Sequence, residues 1–479
     1  MVALRRQAWA TFQEMPLPDR KLEEWMRTDI RGFRLEQYRL PAAFGRGASG
    51  EGGDGNSHDQ PQGGQTQALS GHRPKVGHER GLSGLALSQR EREQLPRALL
   101  AEGIELAGST SSLDSRPRDT RLDPELASRG VLFGSLDQLA CEYGDRLRPY
   151  LFAAVDYHVD KFAALHAACW SGGALVYVPK GVMIDRPLHM LSALSPGGAD
   201  FGHVLIVLEE DAEATVLAET ASVPLAEPVP AAAVPLAEPV PPSVPLAEPV
   251  PAAGLHCGAI EIHLGPRAKL RYVNLQDWGA GVWHFAHQRA LVGQDAALQW
   301  TIGALGGRLA KVNQHVALVG PGADAQVNGV MFTEGKRHLS YHTLQHHQAP
   351  HCTSDLLYKG ALQDHSRLVW RGMIKVDRDA QKTDGYQRDD NLLLSEDARA
   401  DSIPGLEIEA DDVKCSHGAT AGRVDDEQVF YARCRGLTRK EAVRMIVTGF
   451  FQQVFDRITI ASVRHALAEA IGRRVREYE

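Results

Sequence analysis

The chain has 479 residues, of which 43% are apolar and 23% charged, a soluble balance with enough apolar surface for a sizeable core. Its 52 Lys and Arg against 60 Asp and Glu give a formal net charge of -8, which disfavours non-specific nucleic-acid binding. No window reaches the roughly 18 uninterrupted apolar residues of a membrane helix, and Met1 to Arg20 lacks the apolar stretch of an export signal.

Residues 1–43 read as an N-terminal helical region, with Leu22, Trp25, Met26 and Ile30 at helical spacing. Residues 44–80, rich in Gly, Ser, Gln and His, read as a flexible linker. Residues 81–129 read as a mixed, mostly helical region, clearest in "LSQREREQLPRALLAEG". From about residue 130 the texture changes. Short runs such as "HVLIVLEE", "AIEIHL" and "RLVWRGMIKV" alternate apolar and polar residues, and each predicts a half-buried strand. Ala268, Ala296 and Ala323 follow turns at intervals of 28 and 27 residues. Many short strands at this spacing, without intervening helices, suit a parallel β-helix or a large sandwich, here placed at 130–423. "VPLAEPVP" occurs three times, from Val223, Val234 and Val244. Proline this dense does not pair inside a sheet, so 222–253 reads as a Pro-rich insertion from a loop. Residues 424–479 turn helical. Asp425 and the Thr438/Glu441 capping box predict two helix starts, Gly436 a stop between them, and 461–476 a last helix. Ala442, Met445, Ile446, Gly449, Phe450, Gln453 and Val454 are expected along one side of the second.

The six cysteines, Cys141, Cys169, Cys257, Cys352, Cys415 and Cys434, contain no C-x-x-C pair and are expected to be reduced thiols of a cytoplasmic protein. No G-x-x-x-x-G-K-[ST] loop occurs, so no ATP site is expected in this chain. "GPGADA" at 320–325 lies between strand-like runs and reads as a turn, and "DRDAQKTDG" at 377–385 has Arg388 where a calcium loop needs Glu. His342, His346, His347, His351 and Cys352 carry metal-ligand chemistry but lack the spacing of a known site, so packed imidazoles are the stronger expectation. In "DDVKCSHGAT", Cys415 and His417 are two apart and would share one face of a strand. Lys414 and His417 are expected to lower the thiol pKa. On chemistry alone, a buried cysteine beside a structural histidine stands as the alternative.

Residues 382–458, from "KTDGYQRDDNLLLSED" to "GFFQQVFDRI", together with "LPDRKLEEWMRTD", "VYVPKGV", "LQDWG", "VWRGMIKV" and "SDLLYKG", resemble the SufB/SufD family of iron–sulfur cluster assembly proteins. The resemblance covers nearly the whole chain and lapses at 44–80 and in the proline repeat. It implies a mainly β fold, a right-handed parallel β-helix flanked by N-terminal and C-terminal helices. It also implies a non-catalytic scaffold working with SufB and the ATPase SufC, a transient iron–sulfur cluster at the junction with SufB, and room for reduced flavin in the complex. SufC would dock on the C-terminal helices, here through Ile446, Phe450 and Val454. His417, with Cys415, would stand at the cluster junction. SufB members carry a cluster cysteine in the turn before "NLLL", where this chain has Arg388, Asp389 and Asp390, and read His-Glu-Ala-Thr where it has His417-Gly418-Ala419-Thr420. Both departures favour the SufD branch. A SufB-like homodimer with SufC, or a carbohydrate-active β-helix enzyme, are the alternatives. The enzyme would need a carboxylate cluster that is not evident.

Overall fold

The computed structural model describes residues 2–38, 40, 95–224 and 253–475, so the linker and all but the flanks of the proline insertion lie outside the described residues. The alternating runs form the predicted strands, and these stack into two sheets. One sheet runs, in spatial order, β2 (Arg116–Leu122), β1 (Gly108–Leu113), β5 (Leu188–Leu194), β8 (Glu213–Ser222), β10 (Lys269–Asp277), β12 (Ala297–Ala304), β14 (Asp324–Thr333), β16 (Thr353–Leu362), β18 (Asp384–Leu393) and β20 (Lys414–Arg423). The other runs β3 (Leu132–Ser135), β4 (Gly172–Val178), β7 (Gly202–Leu208), β9 (Gly254–Leu264), β11 (Val282–Val292), β13 (Leu309–Leu318), β15 (His338–His347), β17 (Arg367–Val376) and β19 (Arg399–Ile408), with the two-residue β6 (Ala199–Asp200) beside β9. All neighbours are parallel except β1 with β2 and β3 with β4. From β4 to β20 the chain therefore winds a parallel β-solenoid of about 8 turns, a mainly β fold with helices at both ends.

In-register stacking explains the spaced alanines. Ala268, Ala296 and Ala323 each precede a strand of the first sheet, where Lys269, Ala297 and Asp324 are aligned partners, and all three are fully buried. Cys352, just before Thr353, continues the column. The residue before each column position turns the corner with a left-handed backbone: Arg267, Asp295, Gly322 and His351 have φ of 58°, 52°, 72° and 61°. "GPGADA" is such a corner, as its place between strand-like runs predicted.

Strands begin at Gly108, earlier than the texture change at 130, because β1 and β2 precede it. Residues 95–103 of the predicted 87–103 helix are turns and bends, and its earlier part lies outside the described residues. Between β2 and β4 lie α2 (Pro124–Ser128), α3 (Leu136–Glu142), α4 (Gly144–Leu147) and α5 (Lys161–Cys169). The first helix, α1 (Val2–Glu14), packs on α5, where Lys161 Nζ donates to the Phe12 carbonyl at 2.7 Å. The helix expected around Leu22–Ile30 is reduced to a 3₁₀ turn at Glu23–Trp25. Only Trp25 of the first three apolar positions is buried, stacked on Phe162 at 5.4 Å, while Leu22 and Met26 are exposed. This stretch is a strap anchored by aromatic rings across the second sheet, and a strap needs no helical stripe.

After β20 come α6 (Asp426–Cys434), α7 (Arg439–Phe455) and α8 (Ala461–Arg474). Asp425 caps α6, the Thr438/Glu441 capping box starts α7, and Gly436 turns between them at φ 92°. The buried face of α7 is Ala442, Val443, Val447, Phe451, Val454 and Phe455, one position round from the predicted stripe. It packs on Leu357 and Ala361 of β16 and on Val330 and Phe332 of β14, the outward-facing apolar residues of those strands. The helices thus lie along the flank of the solenoid and leave its C-terminal end open. Among the described residues, no helix is long and apolar enough to cross a membrane.

Candidate site at the open end of the solenoid

Cys415 and His417 lie on β20, the last strand of its sheet, directly above Gly385 and Gln387 of β18. Gly385, Gln387, Asp389 and Asn391 are buried, so this alternation marks the inward face, and both candidate residues share it as strand geometry requires. The two differ in environment. His417 is exposed on the rim. Cys415 is half-buried beside Ile374, Val376, Ala380 and Ala410.

The expectation that neighbouring cations depress the Cys415 thiol is overturned. Burial pushes it up and Asp384 adds in the same direction, against the opposing pull of the Gly385 N–H. Lys414 points to the opposite face from Cys415. As it stands, Cys415 is a thiol held mostly protonated, and the accessible ligand-type side chain of the pair is the His417 imidazole.

Residues 388–390 are not in a turn but inside β18. Asp389 points inward, where Ser402 Oγ (2.5 Å) and Asn391 Nδ2 (2.6 Å) donate to its Oδ2, yet burial pushes its carboxyl up to about 7. Its other oxygen has no hydrogen-bond partner among the described residues. Asp390 points outward and accepts from Thr420 Oγ1 at 2.6 Å and Arg388 Nε at 3.0 Å. Asp389 was not singled out from sequence, although the Gln387, Asp389, Asn391 alternation marks it as inward once the strand is assigned.

The histidine run does not converge. His342 and His346 point outward on β15, His347 points inward to Ser354 Oγ at 2.8 Å, His351 is a corner residue and Cys352 belongs to the buried column. Among the described residues, no group of three or more His, Cys, Asp or Glu side chains could hold a metal ion.

The stripe predicted to dock a partner is largely spent within the chain. Val454 is 0% exposed and Phe450 is half-buried beneath the Lys359 ammonium, 4.6 Å from its ring centre, while Ile446 packs partly against the same cluster. The apolar side chains these helices present to solvent are instead Phe430 (68% exposed), Tyr431 (62%) and Met445 (54%). Sequence periodicity placed Met445 in the stripe but did not select Phe430 and Tyr431, which are adjacent on a short, mostly polar helix.

The fold defines a parallel β-solenoid with helices at both ends, whose last strands, β19 and β20, have no strand beyond them among the described residues. Residues 245–450 match the family described as SUF system FeS cluster assembly, SufBD core domain, and residues 118–190 match the SufBD protein N-terminal region. An iron-sulfur cluster assembly SufBD family protein of Mycobacterium leprae is 37% identical over 227 residues, which span 46% of this chain and 58% of that protein. One of Mycobacterium tuberculosis is 30% identical over 321 residues, covering 65% and 73%, and one of Staphylococcus epidermidis is 27% identical over 353, covering 74% and 70%. The chain belongs to the SufBD family of iron–sulfur cluster assembly proteins.

Proposed function

We propose that this chain is a SufD-like, non-catalytic subunit that pairs through its open end with a SufB-type solenoid and carries the ATPase SufC on its C-terminal helices. The carrying observation is the open last coil: β19 and β20 have no strand beyond them among the described residues, and His417 stands on that rim. Edge strands left bare in this way are templates for pairing with another chain. Arg388, Asp389 and Asp390 supply no thiolate, so the main thiolate for a nascent cluster would come from the partner. A cluster held by ligands of two chains can be released by moving one of them, since metal affinity depends on every ligand being in place. The exposed Phe430, Tyr431 and Met445 suit a SufC-type contact better than the buried stripe. The absence of an ATP-binding loop motif fits dependence on such a partner, and six unpaired cysteines fit a cytoplasmic setting.

The test is anaerobic co-purification with SufB and SufC, measuring bound iron, sulfide and flavin. A ternary complex should retain iron. His417→Ala should lower that iron several-fold without changing the subunits present, Cys415→Ser should lower it less, and Phe430→Asp should weaken SufC capture. Iron retained by the His417→Ala complex would sink the ligand role, especially if the isolated variant lost about 1–3 kcal/mol of stability, as a buried hydrogen bond would. Recovery only as a homodimer with SufC would favour the SufB-like alternative.

A further inference from the structure

On the outer face of the second sheet, in-register stacking builds two parallel rows of side chains. One runs from His287 through His342 to Arg371, the next from Arg289 through His315 to Met373. The neighbouring row on the other side, which includes Phe285, is covered by the Trp25 strap. These two rows are left as the floor of a cavity of about 310 Å³, roofed by residues 154–159 and Glu24. That volume is at the lower end of the range for small-molecule sites.

The floor holds an unusual charge. The Arg289 guanidinium is half-buried, and its one hydrogen bond among the described residues is from Nη1 to the Ala154 carbonyl at 3.0 Å. Its Nε has no hydrogen-bond partner among the described residues. Glu261 and Asp156 attract the guanidinium through space, but neither accepts a hydrogen bond from it among the described residues. Glu261 accepts the backbone N–H groups of Phe152, Ala154 and Val155 and a contact from His203, and Asp156 takes the N–H and the ring of His158. A charge taken out of water is ordinarily matched by an opposite one. The second guanidinium, Arg371, is held only at its outer end by Glu23, whose side chain is largely exposed. The imidazoles between them are kept neutral by burial, and the cations push them further down, Arg289 acting on His315 and Lys311 with Arg371 on His342. Val155, Val159, Leu344 and Met373 give the same cavity an apolar wall.

We infer that this cavity is a binding site for a small organic anion, its oxyanion head taken by Arg289 and Arg371 and its apolar body lying against Val155, Val159 and Met373. A planar guanidinium matches the two oxygens of a carboxylate or phosphate. The neutral imidazoles of the floor add hydrogen bonds without attracting cations. The site is on the outer flank of the second sheet, not on the sheet that the C-terminal helices cover, and its lining reaches β17, the neighbour of the rim strand β19.

Calorimetric titration of the full chain with phenyl phosphate, benzoate and uncharged benzamide tests this. Both anions should bind saturably and benzamide at least about tenfold more weakly, the size of a charge-assisted hydrogen bond. The tighter of the two anions identifies the head group. Arg289→Gln should weaken the anions about tenfold or more while leaving benzamide unchanged. Arg371→Gln should weaken them several-fold and serves if Arg289→Gln does not fold. Benzamide binding as tightly as benzoate would overturn the proposal, as would no saturable binding by either anion, or unchanged affinity in a folded Arg289 or Arg371 variant.

Discussion

The two ends of the solenoid are finished in opposite ways. At the N-terminal end both sheets close with antiparallel strands, β2 on β1 and β3 on β4, and α3 covers the flank beside them. The rim strand β2 carries Arg116, Pro117, Arg118 and Arg121, and its pairing with β1 is broken by an irregularity between Ser111 and Ser112. Charge, proline and a bulge are the means by which proteins stop a sheet edge from recruiting another strand. At the C-terminal end β19 and β20 run parallel to their neighbours, in full register, with nothing laid over them among the described residues. The central part of β20, Ser416 to Gly422, is uncharged and carries no proline. The N-terminal rim carries these blocking side chains along β2, whereas at the C-terminal rim they are confined to β19, with Arg399, Asp401, Pro404 and Glu407, and leave the middle of β20 without them.

The contrast can be broken most severely by truncating a matched pair of apolar residues. Phe133 on β3 is buried in the main core, while Leu406 on β19 is 37% exposed over Ile374. In urea unfolding of the isolated chain, Phe133→Ala should cost about 3–5 kcal/mol, and Leu406→Ala about 0.5 kcal/mol or less. Equal costs would mean that the last coil is as settled as the first.

A smaller effect should appear with pH. Asp389 is raised to about 7 by burial, so it is protonated in the folded chain where the unfolded chain would already be ionised. Its contribution is therefore fully present below the ordinary carboxylate range and is lost as pH rises through about 7, a loss on the order of a few kcal/mol. Asp389→Asn should remove that part of the slope between acidic and neutral pH. Hydrogen exchange should localise the loss to β18 and β19; an unchanged slope would show that Asp389 is not the group responsible.

The smallest effect belongs to the guarded edge. Arg116→Ser with Arg118→Ser should alter stability by about 0.5 kcal/mol or less, yet raise self-association in light scattering. If scattering does not rise, the bulge and Pro117 suffice as protection.

Much of this architecture was legible in the sequence because a solenoid repeats its physics. The alternation that marks strands and the small residue required after each corner recur once per coil, so Ala268, Ala296 and Ala323 announce the period before any coil is known. The capping box at Thr438 was legible for the same local reason. What was not legible depended on neighbours distant in sequence. Leu22 to Ile30 has helical spacing, but the aromatic surface of Phe162 and Phe285 selects Trp25 alone and holds the stretch as a strap. On α7 both candidate arcs are apolar, and only the outward residues of β14 and β16 decide which is buried. At Cys415, sequence proximity to Lys414 suggested a thiolate, whereas strand alternation separates the two and places the thiol over Gly385.

The proline insertion occupies the connection from β8 to β9, and the coil on either side is undisturbed: Ala221 still aligns with Asp277, and Gly254 with Val282. Each coil is held by the ones above and below it, so chain added at a corner has no register to shift. The entropy of closing a longer connection also grows slowly, by roughly 0.6 kcal/mol for each doubling. A corner of this kind behaves as a splice point, at which sequence can be gained, duplicated or shed over generations while the stack on both sides keeps its alignment. Three copies of one eight-residue phrase at such a corner are what duplication at a tolerant site would leave behind.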